Sequence, residues 1–463
     1  RIQRRARQKF GDPARLILEF PGIQRIRGRQ GGGNLLCHDK PDPTAGPENR
    51  GQTPYSDLTM DVTRPRPLSN AAITEKGTAP AMRIMLVTDA WDPQVNGVVR
   101  TMKRVITECE QMGHTWDIVS PNGFKTIPLP TYSEIRLAFG AKKIIEERFL
   151  EFEPDAVHIA TEGPLGWAAR AVCLRHKFPY TTSYHTRFPE YVNARFPFVP
   201  VWAGYTVFRE FHKYSGRVMV ATPSMRDELA SKGFKNIAPW SRGVDTDLFH
   251  PAKRMDDRGP FKGMAQPIWL NVGRVAVEKN ISTFLDTPLP GTKVVVGEGP
   301  QLEALREKHK DAHFLGVKQG EELAACFANA DVFCFPSLTD TFGLVVLEAM
   351  AAGTPVAGFN VPGPRDLIPG TGAGAVNDDL ATACLEALKC SRDVTRTYAE
   401  TYSWRACAEQ FINNLEPLPV PERRKFWKRL ARLRHALRIR RRKPKRGDKP
   451  ETPPSSAAQA KAD

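Results

Sequence analysis

Two carboxylates, Asp340 and Glu348, stand eight residues apart in the segment SLTDTFGLVVLEAMAAGTPVAG, 337–358. They are the residues of this chain best placed to hold the two ends of an extended polar ligand. The run VFCFPS before them has the pattern of a short buried strand, and Leu338-Thr339-Asp340-Thr341 supplies N-cap residue types ahead of a Leu-, Val- and Ala-rich stretch. This order predicts a helix capped by Asp340, ended by Gly353, blocked by Pro355 and followed by the strand PVAGF. The N–H groups at Phe342, Gly343 and Leu344 would then face outward with the positive end of the helix dipole, an arrangement suited to a diphosphate. Gly343, without a Cβ, lets a ligand approach the backbone. Eight residues on one helix span about 12 Å, so Asp340 and Glu348 cannot act on one atom. Arg274 and Lys279, five apart in LNVGRVAVEKN past a predicted strand end, add the cations a diphosphate needs. Taken alone, the carboxylates also fit a capped core helix with one surface Glu, and the two cations also fit a solvated loop.

The elements that position these groups alternate. From Met82 the short apolar runs RIMLVTD, WDIVSP, AVHIA, PYTTSYH and RVMVATPS are separated by the helical stretches VVRTMKRVITECEQMG, GWAARAVCLRHK and SMRDELASKG. A second set follows, IWLNVG, KVVVG, HFLG, DVFCFPS, PVAGF and GAVN. Strand and helix alternation predicts an α/β chain with parallel sheets and ligands at the carboxyl ends of the strands. The segment NIAPWSRGVDTDLFHPAKRMDDRGP joins the halves, and its polar, Pro-containing end reads as a linker. Residues 398–418 read as one helix with Trp404 packed beneath it.

At 463 residues and 41% hydrophobic content the chain can bury two ordinary cores. It contains no apolar run near the roughly 20 residues needed to span a bilayer. Its eight cysteines lack C-x-x-C or Cys/His ligand spacing, which favours free thiols over disulfides or zinc. The net charge of +16 is uneven: residues 421–449 hold 15 Lys/Arg against Glu422 and Asp448, residues 1–81 carry +6, and residues 82–420 are left at −2. Basicity belongs to the ends, and the middle is nearly neutral.

Several motifs together resemble retaining glycosyltransferases of family 4, which have the two-domain GT-B fold. The acidic pair separated by seven residues, with Phe-Gly-Leu between and Glu-Ala-Met-Ala at its end, is similar to the signature of that family, although its first acid is more often Glu. LNVGRVAVEKN resembles the phosphate-clamping segment, VVVGEGP the strand and glycine turn after it, and FLGV the strand end that borders the base. RIMLVTDAWDPQVNGVVR resembles the opening strand and glycine loop, and SYHTRFPEY the loop with an acceptor-side histidine. The resemblance covers about residues 82–418 and implies two Rossmann-like doubly wound domains with the active site in the cleft between them. It assigns Glu348 to the ribose, Asp340 to the transferred hexose, Arg274 and Lys279 to the diphosphate, and Gly97 to a close approach by the first domain. His185 would position the sugar or stabilise developing charge rather than act as a base. Base selection falls near Gly316, Val317 and Lys318, where the sequence does not choose guanine or uracil. The donor implied is GDP-mannose or a UDP-hexose. The versions HTRFPEY and TDTFGLV resemble the branch with α-mannosyltransferases and sulfoquinovosyl- or glucosyl-diacylglycerol synthases, which implies a lipid acceptor. Asp245-Thr246-Asp247 has the form of a manganese-binding D-x-D, but its context resembles the GT-B hinge, so no metal or other cofactor is expected.

The domain division expected is 82–250 for the acceptor-side half, 251–397 for the nucleotide-sugar half, 398–420 for a crossover helix and 421–463 for a basic amphipathic tail. In that tail Phe426, Leu430, Leu433 and Leu437 form an apolar stripe beside Trp427 with Arg and Lys around it, the form of an interfacial helix on an anionic membrane. A solvated tail and a nucleic-acid arm are the other readings of that composition; no nucleic-acid partner is expected. The location that follows is cytoplasmic, on the inner face of the membrane. Residues 1–81 are Arg-, Gly- and Pro-rich with little periodicity and are expected to be a disordered extension, with Met82 as the natural start. A transit peptide would be poorer in acids. Other functional readings are a GT-B epimerase or hydrolase, and a nucleic-acid-binding protein acting through the tail.

Overall fold

Apolar runs too short for helices and separated by helical stretches can bury both faces only as parallel strands covered on each side. The computed structural model describes residues 80–442 apart from positions 95, 130, 131 and 197, with side chains of the last helix described to Arg432. Expectations for residues 1–79 and 443–463 lie outside the described residues. The first half contains β1 (Arg83–Val87), β2 (Thr115–Val119), β3 (Thr126–Leu129), β4 (Tyr132–Ala138), β5 (Ala156–Ile159), β6 (Thr181–Ser183), β7 (Val218–Val220) and β8 (Ile237–Pro239). The second contains β9 (Ile268–Val272), β10 (Thr292–Val296), β11 (His313–Phe314), β12 (Val332–Phe335), β13 (Val356–Phe359) and β14 (Gly374–Asn377).

The first sheet runs β2-β1-β5-β6-β7-β8 and the second β11-β10-β9-β12-β13-β14, all pairs parallel. Strand order reverses beside β1 in one sheet and between β9 and β12 in the other, and the loops leaving the strands on either side of such a point diverge to open a crevice. The chain exits β1 toward Gly97, β9 toward Arg274 and Lys279, and β12 toward Asp340 and Gly343. Sheet topology therefore places most of the sequence-derived candidates at two switch points. The antiparallel hairpin β3–β4 and the edge strand β8 were not apparent in the sequence pattern.

The joint between the halves is docked rather than free. Trp240 and Phe261 are buried, and Arg254 and Arg258 both reach the Asp331 carboxylate, at 3.2 and 2.8 Å, fixing the stretch expected to be a linker onto the second half. Residues 398–418 are likewise not one helix. A helix ends at Ala399, and the Ser403 hydroxyl accepts from Ala406 N at 3.0 Å to start a second, Trp404–Asn414. This second helix returns to the first half, where Trp240 Nε1 donates to Cys407 O at 3.2 Å and Phe411 is fully buried.

The last helix, Val420–Arg442, corrects the reading of its apolar stripe. Phe426 and Leu430 are buried in the core of the first half with Phe149 and Phe178, and Trp427 packs beside them, its ring 5.2 Å from that of Phe149. Arg423 pairs with Asp155 on the same surface. An amphipathic stripe reports only that an apolar face is covered, and here the chain itself covers it, so these side chains are not the part that meets a membrane. Leu433 and Leu437 lie beyond the described side chains. Truncating a buried aromatic costs about 3 kcal/mol or more. In urea titrations Phe426→Ala should therefore lower the midpoint markedly, whereas Lys428→Ala, on the exposed face, should leave the unfolding free energy within about 0.5 kcal/mol of wild type.

Candidate active site

The helix that carries Glu348 starts later than its sequence predicts. It runs Leu344–Ala351 and is preceded by Gly343 at φ +84°, with no side chain capping its first turn. Asp340 is not the cap. Its carboxylate accepts from Lys279 Nζ at 2.6 and 2.8 Å, because a half-buried ammonium is a stronger attractor than a backbone amide. The two acids consequently do not share a helix. No side chain therefore occupies the N-terminal turn at which the Phe342–Leu344 amides were expected to meet a diphosphate. Gly343 is required on two counts: its φ lies in the left-handed region, and a Cβ there would come 2.8 Å from Phe335 Cζ.

Lys279 and Asp340 belong to a three-residue cluster that includes Tyr191 from the first half. Burial chiefly, and then the Asp340 charge, push the Tyr191 hydroxyl up to about 12, while Lys279 works in the opposite direction and Thr339 hydrogen-bonds it. Burial pulls Lys279 down, but Asp340 and Tyr191 outweigh it and hold the ammonium above its ordinary pKa, so it stays charged. Tyr191 is the last residue of SYHTRFPEY, within the helix Phe188–Arg195, and was not singled out from sequence. Its signal was only its place in that motif.

Glu348 is 4% exposed and pairs with Arg100, which stands on the helix Gly97–Gln111 of the first half. Burial raises the Glu348 pKa and the Arg100 charge opposes the rise. Its Oε2 has no hydrogen-bond partner among the described residues. Gly97 opens the Arg100 helix, and a Cβ on it would lie 3.9 Å from Leu344 Cδ1, so the starts of two helices meet across the cleft. The Gly97 helix is already capped, since Asn96 Oδ1 accepts from Val98 N at 3.0 Å and Val99 N at 3.1 Å. One turn beyond Arg100, Arg104 pairs with Asp245, whose other oxygen accepts from Leu248 N at 3.0 Å. Asp245 is thus engaged on both oxygens. No group of three His, Cys, Asp or Glu residues among those described is arranged to hold a metal ion.

His185 sits at the lip of the first half, its carbonyl accepting from Thr341 Oγ1 at 2.7 Å across the cleft. Its Nδ1 is 3.2 Å from Arg242 Nη2 and its Nε2 2.8 Å from Ser183 Oγ. Arginine can only donate, so Nδ1 accepts and Nε2 carries the proton toward Ser183. Ser183 Oγ in turn meets His158 Nε2 at 3.1 Å, and His158 Nδ1 meets Thr181 Oγ1 at 2.9 Å. Burial first, and then the charge of Arg242, keep the His185 pKa well below its usual value. Arg242, itself buried and lowered to about 10 mainly by burial, was another residue the sequence reading passed over.

Of the remaining candidates, Arg274 is half-buried on the loop after β9. The turn Gly297-Glu298-Gly299 packs against that loop, with Val275 N donating to Glu298 O at 2.8 Å. Val317 is 49% exposed on the loop after β11, at the edge of the second sheet.

Two sequence families match the chain, Glycosyltransferase Family 4 over residues 95–248 and Glycosyl transferases group 1 over residues 266–390. A GDP-mannose-dependent alpha-mannosyltransferase of Corynebacterium glutamicum is 30% identical, the match covering 62% of this chain and 74% of that protein. A sulfoquinovosyl transferase of Arabidopsis thaliana is 29% identical over 63% of this chain and 62% of its own length, so the present chain spans less than two thirds of that relative. An alpha-monoglucosyldiacylglycerol synthase of Streptococcus pneumoniae is 28% identical over 71% and 83% of the two chains. The crystal structure of Anabaena HepE in complex with UDP and glucose has the same fold, with a TM-score of 0.55 at 14% identity over 72% of this chain and 98% of that one. With its two doubly wound sheets, its candidate residues gathered at their switch points and these matches along both halves, the chain belongs to glycosyltransferase family 4 and has the GT-B fold.

Proposed function

We propose that the chain transfers a hexosyl group, with retention of configuration, from GDP-mannose or a UDP-hexose to a membrane lipid. The observation that carries this reading is the order of groups along the cleft: buried Glu348 with an oxygen unpartnered among the described residues, an uncapped helix N-terminus one turn away, and the Lys279–Asp340 pair beyond it. Ribose hydroxyls donate to Glu348, the diphosphate lies against the Phe342–Leu344 amides, and Asp340 orients the hexose. Leaving-group charge must be neutralised as the glycosidic bond breaks. Lys279, held charged, and Arg274 supply that charge, which supports turnover without a divalent ion. The departing phosphate takes the acceptor's proton on the same face. His185 positions the sugar, and its two engaged ring nitrogens and lowered basicity fit a neutral role better than that of a base.

Incubation of the protein with GDP- and UDP-sugars and extracted membrane lipids in EDTA-containing buffer, read by mass spectrometry, should yield a hexosylated lipid. Release of free hexose alone would favour a hydrolase, and activity appearing only with added Mn²⁺ would remove the metal-free reading. At the hexose end, Asp340→Ala should lower turnover at least a hundredfold while Asp340→Glu, which retains the carboxylate for Lys279, keeps most of it; equal loss in both variants would contradict the role given to the carboxylate.

A lipid acceptor requires the protein to work at a bilayer surface, and no helix among the described residues is long and apolar enough to cross one. The bilayer contact favoured is the start of the helix Val201–His212 and the residues just before it, where Phe198 is 76% and Trp202 70% exposed. Aromatic side chains of this kind lodge at the water–lipid boundary, and the basic outer face of the last helix adds attraction to anionic headgroups. The location that goes with this reading is the inner, cytoplasmic face of the membrane, where anionic headgroups would attract that basic face. Sedimentation with anionic vesicles should fall at least fivefold in the Phe198→Ala, Trp202→Ala double variant, and unchanged sedimentation would move the contact elsewhere.

A further inference from the structure

The residue that holds Glu348 lies on the opposite half of the cleft, and this placement bears on how a donor enters. We propose that Arg100 is a donor-binding residue, pairing with Glu348 while the cleft is empty and passing to the phosphate oxygens of a nucleoside diphosphate when the ribose takes Glu348. The proposal rests on the functional reading above. It begins with Glu348, a 4% exposed carboxylate that, among the described residues, is held on Oε1 by Arg100 and has no partner on Oε2. A buried carboxylate oxygen without a donor is costly, and a ligand hydroxyl is the group that would satisfy it. Ribose has two adjacent hydroxyls. The bidentate arrangement, one hydroxyl on each carboxylate oxygen, uses Oε1 as well, and Oε1 is where Arg100 now sits.

Displacing the guanidinium leaves it a partner within reach. Glu348 lies four residues from Leu344, about 6 Å along the helix axis, so a diphosphate at the open N-terminus is one side-chain swing from the carboxylate. The Arg100 side chain is 44% exposed, which leaves room for that swing. Its planar fork of donors matches two phosphate oxygens, as an ammonium would not. The backbone need not move, because Gly97 stands against Leu344 at the start of the same helix and Arg104 anchors it to Asp245 one turn later. A first-half cation would then join Lys279 on the leaving group only after the ribose is seated, which ties neutralisation of the diphosphate to correct placement of the nucleoside.

A simple latch predicts the opposite of this exchange, and the two separate in binding. Arg100→Ala and Arg100→Lys should be compared with wild type by isothermal titration of GDP and UDP and by ligand-observed NMR titration of guanosine and uridine, with melting curves alongside. We expect Arg100→Ala to weaken the preferred nucleoside diphosphate at least tenfold without weakening the corresponding nucleoside, with Arg100→Lys in between. Unchanged or tighter diphosphate binding would show that Arg100 only competes for Glu348. Equal weakening of nucleoside and diphosphate would mark it as structural. Either result overturns the proposal. A wild type that binds neither GDP nor UDP would instead contradict the sugar-nucleotide reading, and the role of Arg100 with it.

Discussion

Several polar groups of this cleft are paired across the boundary between two sheets, and much else in the structure follows from that constraint. Arg100 reaches Glu348, Arg104 reaches Asp245, and Tyr191 closes over Lys279 and Asp340. Each pair joins one group on the first half to another on the second half or the hinge. Of these groups Glu348 is the buried one, and a guanidinium from the other half compensates its charge, so in the absence of ligand this pair favours the halves facing one another. A ligand that supplies the same charges and hydroxyls can replace these contacts one for one. Under the proposed function, binding of a sugar nucleotide draws on the same side chains that the two halves use to satisfy one another.

Topology explains why those side chains are available. Gly97 follows β1, Lys279 follows β9 and Asp340 follows β12, each at a point where strand order reverses and neighbouring loops part. The helix Leu344–Ala351 points its uncapped start into the gap, with Gly343 accepting a backbone conformation and a closeness to Phe335 that no side chain would tolerate. Behind the gap, the helices Trp404–Asn414 and Val420–Arg442 return to the first half and bury Phe411, Phe426 and Leu430 there. The chain thus braces the first half with its own C-terminal segments, and Trp240 and Arg242 in the joint belong to the packed interior.

The strands and their alternation were legible in the sequence because the period of apolar residues and the glycine turns are local properties. Asp340, Glu348, Lys279 and His185 were legible as a set because they fall within ordered motifs. Asp340 was misplaced as a cap for a physical reason: propensity describes what an isolated segment prefers, and Lys279, 61 residues away, offers a stronger partner. Arg100 was passed over for the same kind of reason, since nothing near it in sequence announces a carboxylate 248 residues later. The stripe of Phe426 and Leu430 was read correctly as an apolar face and wrongly as a membrane face, because spacing tells that such a face is covered without telling by what. His185 shows the converse: its motif identified it, but only the contacts of Arg242 and Ser183 show that both ring nitrogens are engaged.

The central claim is that a nucleoside diphosphate lies along the start of the Leu344–Ala351 helix with its ribose at Glu348. A crystal structure of the protein with GDP or UDP tests it directly. The account predicts ribose hydroxyls on the Glu348 carboxylate and phosphates against the Phe342–Leu344 amides and Lys279, whereas a nucleotide bound elsewhere, or one entering this cleft in the reverse direction, would contradict it.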